Sequence, residues 1–282
     1  LTILLIMFLA AASIPHGLFA QEATPETAFE EPALLSAFFG LDNALPQAAR
    51  GLCVRAPGRD GMPVIFSEEI DADTLQPSDF AVTTMSGVVS TPLCVTLRPA
   101  IDPGELRTVL LIGEFGSAEI DEPVLVEVVG EILSLNDGYD FMGTSVEVTP
   151  LASGPFMVLA QSVPVEQWRL DQQAGRQQGN GCPSEGTVQI VRAVWSGGVT
   201  IPGGEEAGER ERAQYLVTLQ AEDGTTRDVT PFALADIGDG DNNHLLCLDV
   251  DGTPIMVTFP EGYLYDPNAD ALNLPAQVPI TR

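Results

Sequence analysis

What most constrains this chain is its rhythm: short runs of β-branched and aromatic residues, broken every few positions by Gly, Pro, Asp or Asn. Runs such as Thr108-Val109-Leu110-Leu111-Ile112 and Val124-Leu125-Val126-Glu127-Val128 are too short for ordinary helices and carry β-type side chains. The runs Met62–Ser67, Phe80–Thr84, Leu93–Leu97, Arg107–Gly113 and Pro123–Gly130 read as one series of strands. Turn signals separate them at Asp60-Gly61, Ser86-Gly87 and Pro103-Gly104. A polar stretch, 135–143, marks the expected boundary. The second series is Ser145–Thr149, Phe156–Ala160, Thr187–Trp195, Gln214–Gln220, Arg227–Leu234, His244–Leu248 and Ile255–Phe259. Tyr215–Leu219 and Val229–Phe232 flank Glu222-Asp223-Gly224 as a hairpin would. With no amphipathic helical pattern between strands, the expected fold is all-β: two antiparallel β-sandwich domains, 46–134 and 144–282, the second with a long Gln-rich loop over 162–181. Trp168 falls in that loop as a candidate anchor onto the sheet.

The N-terminus is of another kind. Residues 1–20 contain no charged residue, run apolar from Leu1 to Ser13, and close on Leu18-Phe19-Ala20. That is the pattern of a secretory signal, with a membrane anchor as the competing reading. Residues 21–45 read as an acidic tether in which Pro32–Phe39 forms a short helix or docking segment. With the signal removed, no integral membrane span is expected, and the localisation is secreted or periplasmic.

Cysteine usage agrees with export. Cys53, Cys94, Cys182 and Cys247 are widely spaced, with no C-x-x-C pair. Of three connectivities, Cys53–Cys94 with Cys182–Cys247 keeps each bridge inside one domain; four buried free thiols are the alternative.

Charge excludes some partners. The 282 residues carry 40 Asp+Glu against 12 Lys+Arg, a net charge of −28, and every basic residue is arginine. Nucleic acid needs clustered cations, so it is not expected as a partner. An unidentified protein or glycan is.

A stretch of the first half carries a family resemblance. Val64-Ile65-Phe66-Ser67 leads through the acidic turn Glu68-Glu69-Ile70-Asp71-Ala72-Asp73 to Thr74-Leu75 and then to Phe80-Ala81-Val82. This resembles the opening of bacterial Ig-like domains of secreted and surface proteins. The resemblance implies a sandwich of about seven strands acting as a spacer or binding module. It carries no catalytic set. There is also an internal similarity. Leu52-Cys53 followed by Asp60-Gly61-Met62-Pro63 parallels Leu246-Cys247 followed by Asp251-Gly252-Thr253-Pro254. This suggests two domains of one kind, although convergent hairpin chemistry accounts for it too.

Among chemical motifs, the run Asp236-Ile237-Gly238-Asp239-Gly240-Asp241-Asn242-Asn243 is the most suggestive. Calcium takes six to eight oxygen ligands, and Asp236, Asp239, Asp241 and Asn243 could wrap one ion. The run fails the EF-hand pattern, because His244 stands where the glycine belongs. A solvated acidic turn accounts for the same residues. Asp266, Asn268 and Asp270 offer a second oxygen cluster. His244, the one histidine outside the signal, reads as a loop residue. No G-x-S-x-G surrounds a serine nucleophile, and zinc sites needing two or three histidines lack them. The expected function is a non-catalytic binding or structural protein, stabilised by disulfides and calcium. The alternative is a carbohydrate-active hydrolase using paired carboxylates in the second domain.

Overall fold

The computed structural model describes residues 31–269 and 271–281. The segment 1–20 expected as a signal, the start of the expected tether, and Asp270 lie outside the described residues. The chain's regular secondary structure is nearly all strand. The first half contains β1 (Leu34–Phe38), β2 (Asp60–Phe66), β3 (Phe80–Thr84), β4 (Val89–Ser90), β5 (Cys94–Thr96), β6 (Thr108–Gly113), β7 (Pro123–Val128) and β8 (Ser145–Thr149). The second contains β9 (Met157–Ser162), β10 (Gln189–Trp195), β11 (Leu216–Gln220), β12 (Thr226–Val229), β13 (Ala233–Ala235), β14 (Asn243–Leu248), β15 (Thr253–Phe259) and β16 (Ala276–Thr281). A single four-residue α-helix, Glu209–Arg212, occurs among the described residues.

Each half forms one curled eight-stranded sheet. The orders are β4-β3-β7-β8-β1-β2-β6-β5 and β12-β11-β15-β16-β9-β10-β14-β13. Counted from its own first strand, each half has the same order. All neighbours are antiparallel except two pairs. β1 runs parallel to β8 (Ala37 beside Val148), and β16 runs parallel to β9 (Ile280 beside Ala160). The sheets are therefore mixed, a correction to the antiparallel expectation. The cause is that the first and last strands of each half meet and close the sheet on itself.

Strand alternation explains the curl. Met62, Val64 and Phe66 of β2 point to one side, as do Val109 and Leu111 of β6. They share a cluster with Phe80 and Val82 of β3 and Val126 and Val128 of β7, at the far end of the strand order. Only a sheet bent back on itself brings those faces together. Phe66 packs edge-on against Phe80 and Phe141. In the second half Trp195, Val217, Leu246, Val257 and Phe259 do the same work. Each fully buried large apolar side chain contributes about 1.5–3 kcal/mol.

Four sequence expectations are corrected here. Leu34–Phe38, read as helix or docking segment, is β1: Pro32 and two adjacent phenylalanines disfavour a helix, and Ala37 and Phe38 are needed beside β8. Ser145–Thr149 is a strand with the expected ends but belongs to the first sheet, so the boundary moves from 135–143 to the linker 150–156. Arg227–Leu234 is two strands; Pro231 stands between β12 and β13, which lie at opposite ends of the second sheet. Asp60-Gly61 is the start of β2 rather than a turn. The internal similarity therefore matches the second strand of one half to the seventh of the other, and marks no structural repeat.

The disulfides reveal a better correspondence. Cys53 is bonded to Cys94, and Cys182 to Cys247. Cys53 lies between β1 and β2, and Cys182 lies between β9 and β10. In each half the bridge fastens the first inter-strand segment over the outer side of the sheet. Trp168 packs there with Cys182, Ile190 and Cys247, and donates its indole N–H to Val163 O at 2.9 Å.

Candidate functional site

The acidic run at 236–241 is not a solvated turn. Asp236 and Asp241 are buried and Asp239 is half-buried. The loop leaves β13 through Asp236 in the left-handed region (φ 63°) and turns at Gly238 and Gly240, both with positive φ. Asn180 clamps it: the Asp236 N–H donates to Asn180 O at 2.7 Å, and the Ile237 N–H donates to Asn180 Oδ1 at 2.8 Å. Against this loop sits a second one, from the other half of the chain. Asp102-Pro103-Gly104-Glu105 connects β5 to β6, and places Asp102 beside Asp236 and Asp239, and Glu105 beside Asp236 and Asp241. Within each trio the nearest carboxylate oxygens all lie within 4.8 Å of one another.

Five carboxylates thus meet one arginine. Arg192, buried in the middle of β10, donates to Pro103 O at 2.6 Å and to Gly104 O at 2.9 Å, and its Nη2 stands 3.7 Å from Glu105 Oε1. Gly104 is required at that point. Its φ is +89°, and an added Cβ would fall 2.2 Å from Arg192 Nη1. Asp102 accepts from the Gly179 N–H at 3.1 Å, and Glu105 Oε2 accepts from the Asp102 N–H at 3.0 Å. Among the described residues, Glu105 Oε1 and Asp236 Oδ2 are buried without a hydrogen-bond partner.

Electrostatics follow from that crowding. Glu105 is held well above the ordinary carboxylate range, first by burial and then by the charge of Asp236. Burial, then Asp241, raises Asp236; burial, then Glu105, raises Asp241. Asp239 is pushed up to about 6, mainly by burial, with Glu206 and Asp102 adding repulsion. A site of this kind accepts either protons or a cation.

The sequence placed Asp236, Asp239 and Asp241 in one candidate site, and the structure brings these three together. Asn243 plays a different part. It opens β14, and its backbone N–H and side-chain amide donate to Asp241 Oδ1 and Oδ2 at 2.7 and 2.8 Å. Asp266 accepts from the Asn268 N–H within its own turn. Asp102 and Glu105 were missed, because nothing local distinguishes Asp-Pro-Gly-Glu from any turn. Arg192 left a fainter signal: a charge inside the apolar run Ile190–Trp195 needs a buried partner.

His244 is corrected from loop to core. It lies on β14, fully buried, with Nδ1 2.7 Å from the Tyr215 hydroxyl. That hydroxyl accepts from the Trp195 indole N–H at 2.9 Å, so it donates to His244 Nδ1. Burial pushes His244 down to about 4, leaving a neutral structural ring.

Beside the acidic loop an open recess of about 730 Å³ lies between the two halves, lined by Phe38, Leu41, Leu45, Leu97, Leu110 and Pro267, among others, and by Asp239 and Asp241. No helix among the described residues is long and apolar enough to cross a membrane.

No family model matches the chain, and no curated protein does. Among solved structures, the chain is similar to the N-terminal part of the bacterial S-layer protein SbsC (11% identity, TM-score 0.30). The match covers 89% of this chain and 44% of that one. A longer structure of SbsC gives 13% identity, TM-score 0.30 and coverage of 89% and 41%. Domains 1–6 of the same protein give 10%, 0.28, and coverage of 89% and 54%. The chain spans about half, or less, of the structures it matches, and a likeness at this level assigns no function.

Proposed function

We propose that this chain is a non-catalytic module of a secreted or periplasmic protein, in which two Ig-like sandwiches are fused into one stiff unit for a structural or binding task. The strand order supports the Ig-like reading. In each half the first, second, sixth and fifth strands form one layer. The fourth, third, seventh and eighth form the other, the grouping of an Ig fold with one added strand. The bridges depart from the usual inter-sheet position, since they secure an outer segment. Two disulfides favour an oxidising compartment.

The observation that carries the reading is Arg192. A guanidinium from the second half is buried against backbone carbonyls of the first, and an arginine is placed so only where the geometry around it is held. Asn242 Nδ2 to Thr108 Oγ1 at 3.2 Å and Arg107 Nη2 to Gln161 Oε1 at 3.2 Å add to the junction. Ile65, Leu159 and Val194 pack across it. The linker, Pro150-Leu151-Ala152-Ser153-Gly154-Pro155-Phe156, is short and bounded by proline.

Residual dipolar couplings from weakly aligned protein test this reading. One alignment tensor should fit both halves; two tensors of different magnitude would sink it. The partner, a protein or a glycan, is sought with the same material on a glycan array and by pull-down. A paired-carboxylate hydrolase is disfavoured on two grounds. Glu105 and Asp236 are almost wholly buried and do not line the recess, and Asp241, which does, is buried as well. Phe38 is the one aromatic side chain among the recess's lining residues.

A further inference from the structure

We infer that the junction between the two halves is a binding site for a hard divalent cation of the calcium type, with Asp102 and Glu105 supplied by one half and Asp236, Asp239 and Asp241 by the other. This rests on the reading of the halves as one stiff unit, and it adds what clamps them.

Reach is the first requirement. Calcium–oxygen distances are about 2.3–2.6 Å, so two oxygens on one ion are at most about 5 Å apart. Each trio satisfies that limit by itself, its three ligand atoms within 4.8 Å of one another, and Asp236 belongs to both. Charge comes next. Five carboxylates share Arg192, which is already committed to the carbonyls of Pro103 and Gly104, with Arg169 acting on Asp102 besides. A dication offsets the excess that Arg192 leaves. The independent observation concerns individual atoms. Glu105 Oε1, 3.7 Å from Arg192 Nη2, and Asp236 Oδ2, both on side chains that are almost wholly buried, have no hydrogen-bond partner among the described residues. Buried acceptors left in that state cost about 1–3 kcal/mol each, and an ion between them removes the cost. Ligand chemistry then selects the ion. All donors are carboxylate oxygen, with no sulfur or imidazole in either trio, which suits calcium rather than zinc or copper. Irregular loops that turn at positive-φ glycines (Gly238 and Gly240 on one side, Gly104 on the other) fit an ion tolerant of irregular geometry better than magnesium.

The experiment is calorimetric titration of the chelator-stripped full chain with calcium chloride up to about 10 mM, the range of extracellular calcium modules. Thermal melts with and without the metal, and a parallel magnesium titration, accompany it. A saturable calcium isotherm and a raised melting temperature are expected, with magnesium weaker. Glu105→Gln and Asp236→Asn are the informative variants. Each removes a charge from a crowded buried set while keeping shape, so the metal-free protein should stay folded. Each should weaken calcium binding at least about tenfold. Absence of any calcium heat and of any melting shift overturns the site. Loss of binding in Asp236→Asn with full binding in both Glu105→Gln and Asp102→Asn also overturns it, since the ion would then belong to the second half's loop alone. Dipolar couplings on the same samples separate the two ideas. One tensor without calcium binding leaves the stiff unit standing and removes the ion; calcium binding with two tensors does the reverse.

Discussion

His244 offers a prediction whose size can be worked from its surroundings. Its ring is fully buried, its Nδ1 accepts from the Tyr215 hydroxyl, and burial pushes it down to about 4 from an ordinary value near 6.5. Protonation would remove the acceptor and leave a charge in a site walled by Trp195, Tyr215 and Phe259. Between pH 6.5 and 4 the unfolded chain therefore binds a proton that the folded chain refuses, and stability falls as pH falls through that window. Integrated from pH 7 to pH 4.5, the loss is about 2 kcal/mol. The buried acids run the other way. Glu105, Asp236 and Asp241 have raised values, so they favour the folded state as pH drops. A single pH profile would mix the two effects, and the measurement must be a difference. His244→Asn keeps an acceptor near the tyrosine hydroxyl but does not titrate. Denaturant unfolding of both proteins at pH 7 and pH 4.5 should show the wild type losing about 2 kcal/mol more than the variant over that interval. Whatever the substitution costs outright cancels. Parallel profiles would show that the ring charges freely in the folded protein, and the buried-network account would fail.

Three further perturbations follow from the same geometry. Tyr215→Phe strands the Trp195 indole N–H and His244 Nδ1 together, and should cost about 2–4 kcal/mol in denaturant unfolding; a loss under about 1 kcal/mol would mean the chain is not satisfied as described. Arg192→Met leaves Glu105 without its cation and two carbonyls without donors, for an expected loss of about 3–5 kcal/mol. An equally stable variant would show that the junction does not depend on this arginine. Replacing Cys182 and Cys247 together by serine opens a loop with a sequence separation of 65, worth about 4 kcal/mol on loop-closure entropy. A melt within a degree of the wild type would reject it.

Strands dense in β-branched residues announced themselves. Phe80–Thr84 and Ser145–Thr149 have the ends that the sequence suggested, since alternation and flanking turns are local properties. What failed depended on distant partners. Leu34–Phe38 is a strand because β2 and β8 flank it, and Ala276–Thr281 because β15 and β9 do; neither run has a strong pattern of its own. The similarity between the Cys53 and Cys247 segments misled, because the same turn chemistry serves unrelated hairpins, whereas the true correspondence lies in strand order. The acidic site was half legible. Asp236, Asp239 and Asp241 lie in one run, but Asp102 and Glu105 enter from more than a hundred residues away, through a contact that only the docked halves create. Burial was the other blind spot. Asp and Asn in a glycine-rich loop are ordinarily wet, and it is the opposing loop that dries them.

The parallel meeting of opening and closing strands in each half has a mechanical result. Because β1 and β8 point the same way, as do β9 and β16, the backbone enters each half at one pole and departs at the other. Tension applied along the polypeptide would load the hydrogen bonds of those two pairs in shear, so they must yield together instead of unzipping singly. Resistance to pulling of that kind can be read from single-molecule extension traces.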